Sequence, residues 1–106
     1  RLRGIAVSTK KRSSVFPDLP TIDSIYPGFE SDNWFGLFAP AGVPKEIIAR
    51  LNALAIEAMK SAEIRDVIAK DGGDLVGSTP EELGAHLKSE VARYSKVIKA
   101  GNIKAE

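Results

Sequence analysis

An α/β fold is what the sequence predicts, and three features carry that expectation. Apolar runs at 2–8 and 34–38 read as strands, apolar residues spaced by three and four after Pro44 read as helices, and Thr79-Pro80-Glu81-Glu82 has the form of a helix start. The chain has 106 residues, 43% of them hydrophobic and 27% charged, which suits an ordinary folded domain or a piece of a larger one and not a disordered tract. At this length roughly two-thirds of the unfolded surface should be buried, enough for a core.

The opening run Leu2-Arg3-Gly4-Ile5-Ala6-Val7-Ser8 has the aliphatic, β-branched character of a strand and leads into the basic, hydroxyl-rich turn Thr9-Lys10-Lys11-Arg12-Ser13-Ser14. It starts with no cap or turn before it, so we expect the sequence to begin inside a protein. Pro17, Pro20 and Pro27 then punctuate a connection with one helical turn near Thr21–Ile25. The second strand, 34–38, holds the single tryptophan and two of the four phenylalanines, and Pro40 and Pro44 forbid its continuation.

From Pro44, expected at the first helical position, Ile47, Ile48, Leu51, Leu54, Ala55, Ala58 and Met59 share one face. Ser61 caps a shorter helix, in which Ile64, Val67 and Ile68 line up until Asp71-Gly72-Gly73 stops it. Leu75 and Val76 read as a further short strand. In the last helix Thr79 is the hydroxyl cap and Glu82 its capping-box partner, with Leu83, Leu87, Val91, Tyr94, Val97 and Ile98 as the apolar stripe and Gly101-Asn102 as the left-handed stop. Three short strands separated by long helical stretches close no sheet comfortably, so partner strands are expected outside this chain or in a second copy.

Several function classes fall away on composition. There is no cysteine for disulfides or thiolate metal sites, and a formal charge of +1 makes no field for nucleic acid or an anionic membrane. No run reaches the roughly 20 apolar residues of a membrane span. The single histidine, His86, lies beside the apolar stripe with Glu82 and Glu90 one turn away on either side, and reads as part of a solvated charge ladder. Asp71-Gly72-Gly73-Asp74 lacks the ligand spacing of a calcium loop and the lysine of a P-loop, and reads as a helix stop. No Gly-x-Ser-x-Gly elbow or carboxylate pair argues for catalysis, so no catalytic residue, cofactor or metal is expected.

Three residues are candidates for contact with a ligand. Ser8 and Thr9 end a strand where open parallel sheets bind ligands, and their hydroxyls suit a carboxylate. Trp34 could wall a cleft, though core packing is the default for it and for Phe35; alternation along a strand sends the two to opposite faces.

Several ordered motifs resemble one family over the whole chain: Leu2-Arg3-Gly4-Ile5-Ala6-Val7-Ser8-Thr9-Lys10-Lys11-Arg12, Phe16-Pro17-Asp18-Leu19-Pro20-Thr21-Ile22, Pro27-Gly28-Phe29-Glu30, and Trp34-Phe35-Gly36-Leu37-Phe38-Ala39-Pro40-Ala41-Gly42-Val43-Pro44. Leu51-Asn52 and Glu90-Val91-Ala92-Arg93-Tyr94-Ser95-Lys96-Val97-Ile98-Lys99-Ala100-Gly101 extend the series. The chain resembles the final third of the Bug family, the extracytoplasmic solute receptors of tripartite tricarboxylate transporters. The resemblance implies a C-terminal fragment of a two-lobed, type II-like periplasmic-binding-protein fold that closes on a small organic acid or amino acid by hinge motion and delivers it to membrane subunits. It implies a periplasmic location, with residues 1–33 a remnant of the second lobe and residues 34–106 a crossover strand and the helical end of the first.

Two other classes compete with it. The effector domain of a LysR-type regulator has a similar two-lobed architecture, and a free-standing helical interaction module needs no missing sequence. Self-association would run through unpaired strands, giving a dimer of the fragment. Trp34→Ala separates two readings of the aromatic run: a core ring costs about 3–5 kcal/mol when removed, a cleft-lining ring far less stability and more ligand affinity. Melting and ligand titration of that one variant decide between them.

Overall fold

The computed structural model describes residues 2–104; Arg1, Ala105 and Glu106, the outer ends of the two expected segments, lie outside the described residues. Three helices follow a largely irregular first third: α1 (Lys45–Ala58), α2 (Ala62–Lys70) and α3 (Pro80–Ala100), preceded by a 3₁₀ turn at Ile22–Ser24.

The helix ends follow the side-chain chemistry closely. Thr21 Oγ1 accepts from the Ser24 N–H at 3.2 Å to start the 3₁₀ turn, and Ser61 Oγ accepts from the Ile64 N–H at 3.3 Å to start α2. Thr79 and Glu82 exchange both bonds of a capping box, at 3.2 and 2.8 Å. Pro44 is the cap of α1 and not its first residue: its ψ of 141° is non-helical while its carbonyl accepts from Ile47 and Ile48. Helices α2 and α3 end in the same paired bonds, Gly73 to Ile68 and Gly72 to Ala69 in one, Ile103 to Ile98 and Asn102 to Lys99 in the other. The left-handed residue is Gly72 (φ 77°) in the first case and Asn102 (φ 49°), not Gly101, in the second.

The three expected strands do not form as ladders among the described residues. In 2–8 only Val7 pairs, in an isolated parallel bridge with Thr21, where the Val7 N–H donates to Pro20 and the Ile22 N–H to Val7, each at 2.9 Å. Segments 34–38 and 75–76 are irregular. A strand is defined by its partner, and the described residues supply none of ladder length.

The expected core is absent as well. No hydrophobic side chain among the described residues is buried, while Phe35, Leu37 and Val76 are more than four-fifths exposed. Contacts between α1 and α3 join the helical part, and Asn52 of α1 donates to the Ser78 carbonyl at 2.9 Å just before α3. The radius of gyration is 16.7 Å against about 13 Å for a compact domain of this length, so the chain is loosely packed. Of the stripe of α3 expected to face a core, Leu83 is half-buried, but Leu87, Val91, Tyr94, Val97 and Ile98 are 38–59% exposed. What α3 covers instead is the adjacent stripe Leu83, His86, Glu90 and Arg93, at spacings of three, four and three.

Candidate functional site

Residues 30–36 lie along that stripe of α3 and run antiparallel to it. The Glu30 carbonyl accepts from Arg93 Nη1; Trp34 Nε1 donates to Glu90 Oε2 at 3.3 Å; the Trp34 ring meets His86 edge-on, with centroids 4.9 Å apart. At Gly36 an added Cβ would stand 3.1 Å from the Phe38 ring and 3.3 Å from the Leu83 methyl groups, so a side chain there would have to push these neighbours back before the backbone could lie this close to the helix. Each step forward in the segment is a step back along α3. From Leu83 to Arg93 the helix rises about 15 Å, and six residues of fully extended chain reach about 20 Å, so the segment is long enough to follow the stripe without being fully stretched.

Exposure alternates along the segment: Glu30, Asp32 and Trp34 are half-buried, while Ser31, Asn33 and Phe35 are exposed. That is the two-residue period of a strand, seated on a helix rather than in a ladder. It places Trp34 and Phe35 as expected, on opposite faces, with Phe35 91% exposed. Phe38 adds a tilted contact to Trp34, with centroids 6.5 Å apart.

At the centre is Glu90, 6% exposed and the most buried of the described residues. Its Oε2 accepts from Arg93 Nη2 at 2.6 Å as well as from Trp34. The Arg93 bond first, and the Trp34 bond with it, hold the Glu90 carboxyl below the usual glutamate range. Asp32 is pushed the other way, by burial first and then by the neighbouring Glu30 and Glu90 charges, with Arg93 opposing. Asp32 Oδ1 and Arg93 Nε are both buried without a hydrogen-bond partner.

His86 and Glu90 are therefore not part of a solvated ladder. Glu82 serves the α3 cap, His86 packs on the indole, and Glu90 ties two chain segments together. Composition alone could not show this, because the partners Glu30 and Trp34 stand 63 and 56 residues from Arg93 and Glu90. The signal available was the 83, 86, 90, 93 spacing, a helical stripe of mixed chemistry beside the obvious apolar one.

The turn carrying Ser8 and Thr9 adjoins this seat, since the Ser31 N–H donates to the Ser8 carbonyl at 3.1 Å. Ser8 is exposed; Thr9 Oγ1 donates to the Lys11 carbonyl at 2.6 Å, which tightens the basic turn. Ser14 Oγ bonds the Asp74 carboxylate, and Asp71 is the C-cap of α2, so the Asp71–Asp74 loop is a helix stop tied to the opening turn. Among the described residues no group of three or more His, Cys, Asp or Glu could hold a metal, and no helix is long and apolar enough to cross a membrane.

Comparison with known proteins places this geometry. The sequence profile of the tripartite tricarboxylate transporter family receptor matches residues 1–103. The chain belongs to this receptor family. Protein BugT of Bordetella pertussis is 32% identical over 92% of the chain, and the UPF0065 protein in the tcbD-tcbE intergenic region of a Pseudomonas species is 35% identical over 92%; the chain spans 30% of each. Among solved structures, R. palustris Rpa4515 with adipate matches 92% of the chain at 34% identity and a TM-score of 0.72, covering 33% of that protein. The periplasmic binding protein BugD matches 95% at 29% identity and a TM-score of 0.74, covering 35%.

The fold is thus about one-third of a periplasmic-binding-protein receptor, as the resemblance implied. Membership in this receptor family displaces the LysR-type regulator reading, and the lack of any buried hydrophobic side chain among the described residues argues against a free-standing helical module.

The two shifted carboxyls predict opposite pH behaviour. Glu90, held low when folded, stabilises the fold above its ordinary value of 4.5 and loses that contribution as pH falls through its lower folded value. Asp32, held above 3.8, costs stability once ionised, and the cost vanishes as pH falls through its raised value. Asp32→Asn should therefore melt above wild type at pH 7, the two converging below pH 3.8. A lower melting temperature for the variant at pH 7 would contradict the assignment.

Proposed function

We propose that the polypeptide carrying this chain is an extracytoplasmic receptor that captures a small organic anion, a carboxylate, and presents it to the membrane subunits of a tripartite tricarboxylate-type transporter. The observation that carries the reading is the structural match to a family receptor holding adipate, over 92% of the chain and at 34% identity. On this reading the protein works in the periplasm, with no catalytic step, cofactor or nucleic-acid partner.

Residues 1–33 are the remnant of the second lobe and the connection from it, and residues 34–106 the crossover strand and helical end of the first, so that segment 30–36 spans the junction. The seat of that segment on α3 supports this division, because a crossing strand must be anchored to one lobe for the other to swing about it. Ser8, tied to the segment through Ser31, supplies its N–H and O–H for carboxylate oxygens at the mouth of the cleft, and Thr9, whose hydroxyl is already given to the Lys11 carbonyl, supplies its N–H. Trp34 has its ring on α3, bonded to Glu90 and edge-on to His86, so its part is to fix the segment beside the cleft.

The test is calorimetric titration of the receptor-length polypeptide with adipate and other di- and tricarboxylates, aromatic acids and amino acids. Saturable binding of at least one dicarboxylate or tricarboxylate is expected. Absence of binding across the set overturns the reading.

A further inference from the structure

Resting on the receptor reading, we propose that Arg93 has two seats on segment 30–34: the observed one on Glu90 and the Glu30 carbonyl, and a second on Asp32 that is taken up in the ligand-holding form. Two buried groups without partners point to it. Arg93 Nε is a donor and Asp32 Oδ1 an acceptor, both are sealed from solvent, and neither is hydrogen-bonded in the observed arrangement. A native fold rarely leaves such groups unmet, and a complementary pair in one cluster satisfies both if it meets.

The two groups belong to one cluster. Asp32 lies between Glu30 and Trp34 on the face of the segment that α3 covers, and those two neighbours already bond Arg93 and Glu90. The Arg93 charge already acts on the Asp32 carboxyl. The guanidinium rests over the Tyr94 ring, 4.9 Å from its centroid, a platform that keeps its stacking as the fork turns. A small slide of the segment along α3 carries Asp32 toward Nε while Nη2 stays within reach of Glu90. Arg93 is thus a positioning residue: it holds the crossing in one of two registers and touches no ligand.

Asp32→Asn distinguishes this from a structural role, which would move stability and affinity together. The variant should melt above wild type at pH 7 yet bind adipate about tenfold more weakly, the scale of one charge-assisted hydrogen bond. Unchanged affinity in a receptor whose wild type binds adipate overturns the proposal. A ligand-independent measurement keeps it decidable if no carboxylate binds and the receptor reading fails. In the ligand-free polypeptide, ¹⁵N relaxation dispersion at Arg93 Nε should report exchange between the seats and vanish in Asp32→Asn; flat dispersion in wild type overturns the two-seat device outright.

Discussion

The tertiary arrangement hangs on one carboxylate. Glu90 accepts from the Trp34 indole and from Arg93, and Arg93 reaches on to the Glu30 backbone, so two directional bonds, braced by the Glu90–Arg93 pair within α3, set residues 30–34 against the helix. In a chain whose described residues bury no hydrophobic side chain, such bonds do what a core ordinarily does. Hydrogen bonds to a charged group contribute more than neutral ones, and a buried carboxylate with two donors keeps its charge at neutral pH. Gly36 against Leu83 and the edge of His86 against the indole then follow from where Glu90 has placed the segment.

Local structure was readable where a few neighbouring residues decide it. The Thr79–Glu82 box, the Ser61 cap, the Gly72 stop and the turn after Thr21 all rest on bonds between residues three to five apart. Long-range structure was not readable in the same way. The apolar stripe of α3 was visible, but whether anything covers it depends on partners the stripe does not name, and Leu87 to Ile98 remain exposed while the mixed stripe beside them is used. The strand pattern of 34–38 has the same lesson: its alternation is real, since Trp34 and Phe35 face opposite ways, but no ladder partner stands beside it among the described residues.

These two features fit one account. The chain spans about a third of the receptors it matches, and an apolar surface as large as Leu2, Ile5, Phe35, Leu37, Phe38 and Val76 present suits contact with the rest of such a receptor. On the proposed division into lobes, the α3 seat is the part of the crossing that this third supplies for itself. Its polar chemistry has a physical advantage over an apolar one at a hinge. Directional bonds hold one register firmly yet can be exchanged for another, whereas a packed apolar seam resists sliding.

The central claim is that Glu90 and Trp34 act as a unit in fixing the segment to α3. A double-mutant cycle in chemical denaturation tests it, pairing Trp34→Phe, which keeps a ring and loses the N–H, with Glu90→Leu, which removes the acceptor at similar volume. The account predicts strong non-additivity, the double variant losing clearly less than the two singles together. Strict additivity would show that the indole and the carboxylate stabilise the fold independently, and would contradict it.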